Sequence, residues 1–298
     1  LKATTIQTEE QKRISTMEVS ILQLASSHPN IVKIVDSTMR PSGRGRMDHM
    51  ILMEFCASGH AFSLISRMSK ESIRWNSPDL IRSIGQITVA VGFLHQNDIT
   101  HRDLKPENFL IDSRGTWKLC DFGSAIKGEV PLGNQIERTR AEEVIGKTTT
   151  QMYRAPEMVD LYMSRSLNSK TDVWALGCCL YTMSYFRNTF EEGSNLAILG
   201  GKVNYPPVGS YPHYPPGLNT LISRMIEIDP TARLDVKEVI EHLKSLASTG
   251  ELPPRPRAPQ TGVNGGSSHG VRSGSYRLDE QGAGKGKGVL DEVKMVKK

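Results

Sequence analysis

Residues 101–108 read His101-Arg102-Asp103-Leu104-Lys105-Pro106-Glu107-Asn108, which puts a carboxylate, a lysine two residues on and an amide five residues on into one short stretch. Phosphoryl transfer asks for little covalent help from a protein. It needs metal ions and a cation on the phosphates, and a carboxylate at the attacking hydroxyl. Asp103 suits the hydroxyl, Lys105 the transferred group, and the side-chain oxygen of Asn108 a metal ion. Further on, Asp121-Phe122-Gly123 offers a second hard oxygen ligand, so magnesium is the natural ion. Gly123 leaves the backbone free to turn just after that ligand. Taken alone, His-Arg-Asp recurs by chance, and an isolated Asp103 reads equally well as a surface carboxylate.

Order removes that ambiguity. His101–Asn108, Asp121–Gly123, Ala155-Pro156-Glu157 and Asp172-Val173-Trp174 follow one another, the last opening the apolar stretch Val173–Tyr185. This is the protein kinase signature set in its expected order, and residues 1 to about 247 resemble that superfamily. The resemblance implies an α+β, bilobal kinase fold with a mainly helical C-lobe. It implies ATP and Mg2+ as cofactors and transfer of the ATP γ-phosphate to a hydroxyl of a protein substrate. By the same resemblance Asp103 and Lys105 are catalytic, and Asn108 and Asp121 hold metal. Met53 guards the back of the ATP pocket, Glu54–Cys56 form the hinge that pairs with adenine, and Leu110 lies beneath the ring. Cys120 lines that pocket as a packed thiol. Glu157 is expected to pair with Arg233, and Asp172 to brace the catalytic loop. Lysine at 105 marks the Ser/Thr type, and Thr150 resembles the threonine that contacts Asp103 and Lys105.

Finer details narrow the resemblance. Leu119-Cys120-Asp121-Phe122-Gly123-Ser124-Ala125, the run Tyr153–Tyr162, Trp174–Cys178 and Ile51–Cys56 are similar to the Numb-associated kinases, which include the adaptor-associated, cyclin-G-associated and yeast actin-regulating kinases. That likeness implies endocytic adaptor or actin-regulating proteins as substrates, with threonine favoured. It also implies a long activation segment, Asp121–Glu157, carrying an extra helix.

The family's Gly-rich loop over the phosphates has no counterpart: the chain opens Leu1-Lys2-Ala3, and Gly43 and Gly45 fall later without a third glycine. The expectation is an N-terminally truncated kinase with an incomplete N-lobe. Lys2 resembles the lysine that holds the phosphates, and Glu18, on the first long helix, resembles its partner. Otherwise Lys2 is a terminal lysine on a frayed end. Two readings follow. One is an active Ser/Thr kinase; the other is a catalytically impaired kinase-like protein that acts as a binding module. The intact quartet Asp103, Lys105, Asn108 and Asp121 favours the first, and the missing glycines favour the second.

Around these motifs the composition is that of an ordinary globule, with 38% hydrophobic and 23% charged residues in 298. The net charge of +5 is concentrated in residues 249–298, which hold 9 Lys/Arg against 5 Asp/Glu, so a specific nucleic-acid surface is not indicated. Cys56, Cys120, Cys178 and Cys179 form no C-x-x-C pair, which fits a reducing compartment. No apolar run reaches the ~18 residues of a membrane span. The expected location is cytoplasmic, peripheral at endocytic sites. Helices are expected over 9–25, with Ile14, Met17, Ile21 and Leu24 inward, and over Leu80–His95, Leu218–Ile228 and Val236–Leu246. Strands are expected at Ile31–Asp36 and Met50–Phe55, with Arg40–Asp48 an exposed loop. The chain divides into a partial N-lobe with hinge (1–56), a C-lobe (57–247) and a Gly/Pro-rich basic tail (248–298) expected to be disordered. Within the tail, Pro253–Arg257 is a candidate polyproline ligand for an SH3-type partner, or a stiff linker.

Overall fold

The computed structural model describes residues 1–254, apart from 44, 191–193, 208 and 212. The tail from residue 255 on, and with it most of the Pro-rich stretch, lies outside the described residues.

Strand β1 (Lys2–Ile6) leads into helix α1 (Glu9–Leu24). Thr8 caps α1 in a reciprocal capping box with Gln11, and Glu9 and Glu10 complement the positive end of its dipole. Strands β2 (Ile34–Gly43) and β3 (Arg46–Met53) then form a long hairpin, giving a three-stranded antiparallel sheet in the order β1-β3-β2. The register sets Lys2 opposite Ile51 and Thr38 opposite Met50. Two expectations are corrected here. Arg40–Asp48 is mostly strand, not loop, although it is solvent-facing as expected. The inward face of α1 is also rotated: Ser15, Glu18, Val19, Ile21 and Leu22 are buried, whereas Met17 and Leu24 are exposed. Polar partners on neighbouring elements draw Ser15 and Glu18 inward. Ser15 Oγ lies 2.5 Å from His49 Nδ1, and Glu18 meets Lys2.

The rest is mainly helical. Helix α2 (Ala61–Lys70) and helix α3 (Ser77–Gln96) precede the short strands β4 (Ile99–Thr100), β5 (Phe109–Ile111), β6 (Trp117–Leu119), β7 (Ile126–Lys127) and β8 (Val130–Pro131). Helix α4 (Gln135–Thr148) follows, then α5 (Pro156–Val159) and β9 (Ser166–Leu167). Helices α6 (Lys170–Tyr185), α7 (Asn195–Gly200), α8 (Leu218–Met225) and α9 (Val236–Thr249) complete the described chain. β4 pairs with β7, β5 with β6, and β8 with β9, all antiparallel.

Ile84, Ile87, Val91 and Leu94 of α3 are buried, as their spacing predicts. Every residue of α6 from Thr171 to Tyr185 is buried, so α6 lies inside the core on all its faces, carrying Asp172 in with it. Gly177 lets α8 pack closely on it: a Cβ there would meet Met225 Cβ at 2.8 Å. Helix α9 runs beyond its expected end and stops at Gly250, whose φ of 75° provides the left-handed cap. The core is continuous from Val19 and Leu22 of α1 to Leu246 of α9. Leu1–Pro254 form one compact unit.

Candidate active site

The loop 101–108 is held from below by one buried carboxylate. Asp172, in the first turn of α6, accepts hydrogen bonds from the backbone N–H groups of His101 and Arg102, each at 2.8 Å. His95 Nε2 lies 2.9 Å from the same carboxylate. Burial pushes the Asp172 pKa up, but the His95 contact and the backbone donors outweigh it and leave the pKa below its ordinary value. The loop needs this anchor because Arg102 adopts a left-handed φ of 66°, sparsely populated for a side-chain-bearing residue. His101 reaches the Cys120 carbonyl at 3.1 Å and lies edge-on to Phe122, centroids 5.3 Å apart, tying the loop to the segment Asp121–Gly123.

Above this anchor the functional side chains converge. Asp103 Oδ1 accepts from the Thr150 hydroxyl at 2.8 Å and from the Thr150 N–H at 3.0 Å. Asp103 Oδ2 accepts from Lys105 Nζ at 2.7 Å, and Lys105 Nζ also donates to Thr150 Oγ1 at 2.9 Å. Asn108 Nδ2 donates to the Asp103 carbonyl at 2.8 Å, which fixes the amide and turns its oxygen away from that contact. Asp121, also left-handed at φ 62°, presents its carboxylate to Lys2 Nζ at 2.8 Å. Lys2 is simultaneously held by both Glu18 oxygens, at 2.7 and 2.9 Å. Partial burial lowers the Lys2 pKa, but Asp121 and Glu18 together leave it raised; Asp121, pushed up by burial, is pulled down by Lys2. Asp103, Lys105, Asp121, Lys147 and Thr148–Thr150 open onto a shared cavity of about 370 Å³.

Asp121 and Asn108 supply hard oxygen donors, and no group of three or more His, Cys, Asp and Glu side chains placed to hold a metal occurs among the described residues. That donor set fits magnesium, which keeps water and phosphate oxygens in its shell alongside one or two protein ligands.

Met53 ends β3 and packs on the core, and Cys56 is buried just beyond it. Leu110 lies on β5 opposite Lys118. The Glu54 side chain is not idle. It takes Lys118 Nζ at 2.9 Å and the Lys33 N–H at 2.8 Å, strapping the end of β3 to β6. Burial pushes the Cys120 thiol up to about 12, in keeping with a packed thiol and not a reactive thiolate.

Three supporting residues carry no signal in the local sequence. His95 reaches Asp172 from the end of α3. Ser124 Oγ donates to the Thr148 carbonyl and Arg102 Nε to the Ser124 carbonyl at 2.7 Å, joining the loop to the end of α4. Arg154 donates to the carbonyls of Ile145 and Thr149, at 3.2 and 3.0 Å, and so caps the C-terminal end of α4. One further ion pair involves a residue of the segment that follows α4. Glu157 and Arg233 form a fully buried bidentate pair at 2.7 and 2.9 Å.

The family described as "Protein kinase domain" matches residues 1–243. The chain is similar to a probable serine/threonine-protein kinase of Dictyostelium discoideum, at 35% identity over 257 residues, covering 85% of this chain and 22% of that protein. It is similar to actin-regulating kinase 1 of Saccharomyces cerevisiae, at 33% identity over 230 residues, covering 76% of this chain and 35% of that protein. A second probable serine/threonine-protein kinase of Dictyostelium discoideum matches at 33% identity over 245 residues, covering 80% of this chain and 30% of its own length. The chain therefore spans between 22% and 35% of the length of these relatives.

Proposed function

The chain belongs to the protein kinase domain family, and from that premise we propose that it transfers the γ-phosphate of ATP to serine and threonine hydroxyls of a protein substrate. One observation carries the reading: the carboxylates of Asp103 and Asp121 open onto the same cavity, with Lys105 and Thr150 beside them. In this reading Asp103 orients the acceptor hydroxyl and takes its proton. Lys105, already 2.7 Å from Asp103 Oδ2, sits where charge on the transferred group needs a cation. Lys2 exchanges its contact with Asp121 for phosphate oxygens while Glu18 keeps it in place. Asp121 and the Asn108 oxygen would hold magnesium, which would supply positive charge to neutralise the phosphates. Met53, Glu54, Cys56 and Leu110 line the adenine end.

The contact of Thr150 with both Asp103 and Lys105 supports the Ser/Thr type. Helix α4, inside the segment from Asp121 to Glu157, supports the finer kinship with the Numb-associated kinases. The name of the yeast relative supports actin-regulating or endocytic proteins as substrates, with the work done at the cytoplasmic side of endocytic sites. No helix among the described residues is long and apolar enough to cross a membrane.

A radiolabelled transfer assay with Mg-ATP and three peptides differing only in serine, threonine or tyrosine at the acceptor tests the proposal. Label on the serine and threonine peptides, absent when Asp121→Asn replaces the wild type, is expected. Label confined to tyrosine, or none on any peptide, overturns it.

A further inference from the structure

A second cavity lies beside the catalytic one. A space of about 420 Å³ lies between α1 and the segment running from β7 through α4. That volume is within the roughly 300–1,000 Å³ of small-ligand sites. Its walls are apolar, with Ile14 and Met17 from α1, Val130 and Leu167 from the β8–β9 pair, and Val144 and Ile145 from α4. The α1 contribution explains a mismatch noted above. The apolar stripe of α1 includes Ile14 and Met17, but the core takes Val19 and Leu22 in their stead. Ile14 is left half-buried and Met17 is 36% exposed, and both face this space.

The charge around the cavity is net positive, four cations against two carboxylates. Arg13 of α1 and Arg140 of α4 line it from exposed positions, with exposed Lys127 and half-buried Arg102 beside them. Arg13, Lys127 and Arg140 form no ion pair among the described residues. Two carboxylates share the lining, Glu10 and Glu137. Glu137 is committed to capping α4, accepting from the N–H groups of Gly133 at 2.7 Å and Asn134 at 3.3 Å. Glu10 acts electrostatically on Lys147. Cations without partners around an apolar cavity favour an occupant with an apolar body and an acidic head.

We propose that the α1–α4 cavity is a binding site for a single-chain amphiphile with one acidic head, a fatty acid, whose chain fills the space between Met17 and Val144 and whose carboxylate is met by Arg13 and Arg140. Such a ligand ties α1, which carries Glu18, to α4, which ends at Thr148 beside the catalytic threonine contact. The cavity shares Gly123 and Thr148 with the catalytic one, so its occupant biases the arrangement of the cleft.

The test uses the full chain and dodecanoate below its micellar concentration, with titration calorimetry and amide hydrogen exchange as readouts. Saturable one-to-one binding is expected, with slowed exchange in α1 and α4. Dodecanol, which keeps the chain and lacks the charge, is expected to bind about tenfold or more weakly. Arg140→Glu with Arg13→Glu is expected to cause a loss of the same size, and Val144→Trp to abolish binding by filling the space. Because Val144→Trp risks disturbing α4, Val144→Leu provides a second check, with binding weakened and unliganded exchange in α4 unchanged. Equal binding of dodecanol and dodecanoate, insensitivity to the charge reversals, or non-saturating uptake overturns the proposal. None of these readouts depends on phosphate transfer.

Discussion

Two ion pairs, one buried and one partly exposed, sit in the two parts of this molecule, and they are built differently. In the helical part, Arg233 and Glu157 are both almost wholly excluded from water, and Arg233 spends its other donors on the carbonyls of Lys170, Glu227 and Ile228. Its guanidinium also lies over the Trp174 ring, 5.1 Å from the centroid. Nothing in that arrangement can change partners. In the sheet part, Lys2 keeps a third of its side chain exposed and divides one ammonium between Glu18 and Asp121. An ammonium is a point charge with rotatable donors, whereas a guanidinium is a fixed fork. The first pair is a lock and the second is a contact that exchanges, which is what a group serving a transient phosphate requires.

The sharpest way to break the contrast is Arg233→Met. It leaves Glu157 buried without a partner, and a loss of about 3–5 kcal/mol is expected in chemical denaturation. The double variant with Glu157→Leu is expected to recover part of it, because no unpaired charge remains. A loss under ~1 kcal/mol for Arg233→Met would remove the lock from the account.

Lys2→Met is expected to do the opposite. Stability should fall by less than for Arg233→Met, because Lys2 is a third exposed, although Glu18 loses its partner. Phosphate transfer should fall on the order of 10²–10³-fold, the usual cost of losing one charge-stabilising donor. Denaturation and kinetics run on the same preparation separate the two effects.

A third prediction concerns acid. The folded pKa of Asp172 lies below its ordinary 3.8. A depressed carboxylate stabilises the fold above the unfolded value, and that contribution is lost as pH falls through the lower folded value. Thermal melts from pH 5 downward should steepen in that window for the wild type and flatten for Asp172→Asn, which also starts less stable at neutral pH. Parallel acid curves would show that Asp172 does not anchor the loop electrostatically.

The loop 101–108 is legible because its functional groups are compressed into adjacent residues, and its order relative to Asp121 and Asp172 survives any change of spacing. The hairpin was not. Its Arg40–Asp48 end buries almost nothing, so it has no alternation to reveal a strand, and Pro41 is tolerated because β2 is an edge strand. The face of α1 was misjudged for a different reason. Ser15 and Glu18 look like outward residues, and only their partners His49 and Lys2 turn them inward. His95 gives no local hint, since its partner Asp172 lies far along the chain. What sequence periodicity cannot register is polar burial satisfied at long range.

The smallest effect is expected at the start of α4. Asn134 accepts from the Glu137 N–H at 3.0 Å in a capping box, so Asn134→Ala should cost about 1 kcal/mol and loosen amide exchange along α4 first. Unchanged exchange there would mean that packing alone holds the helix.

The most direct test of the whole account is transfer of phosphate to a threonine peptide by the wild type and by Asp103→Asn, prepared together and shown to melt alike. With Asp103 orienting the hydroxyl and accepting its proton, the variant should lose about 10²–10⁴-fold in turnover while keeping its affinity for Mg-ATP. Turnover equal to that of the wild type would contradict the assignment of this loop as the centre of the chemistry.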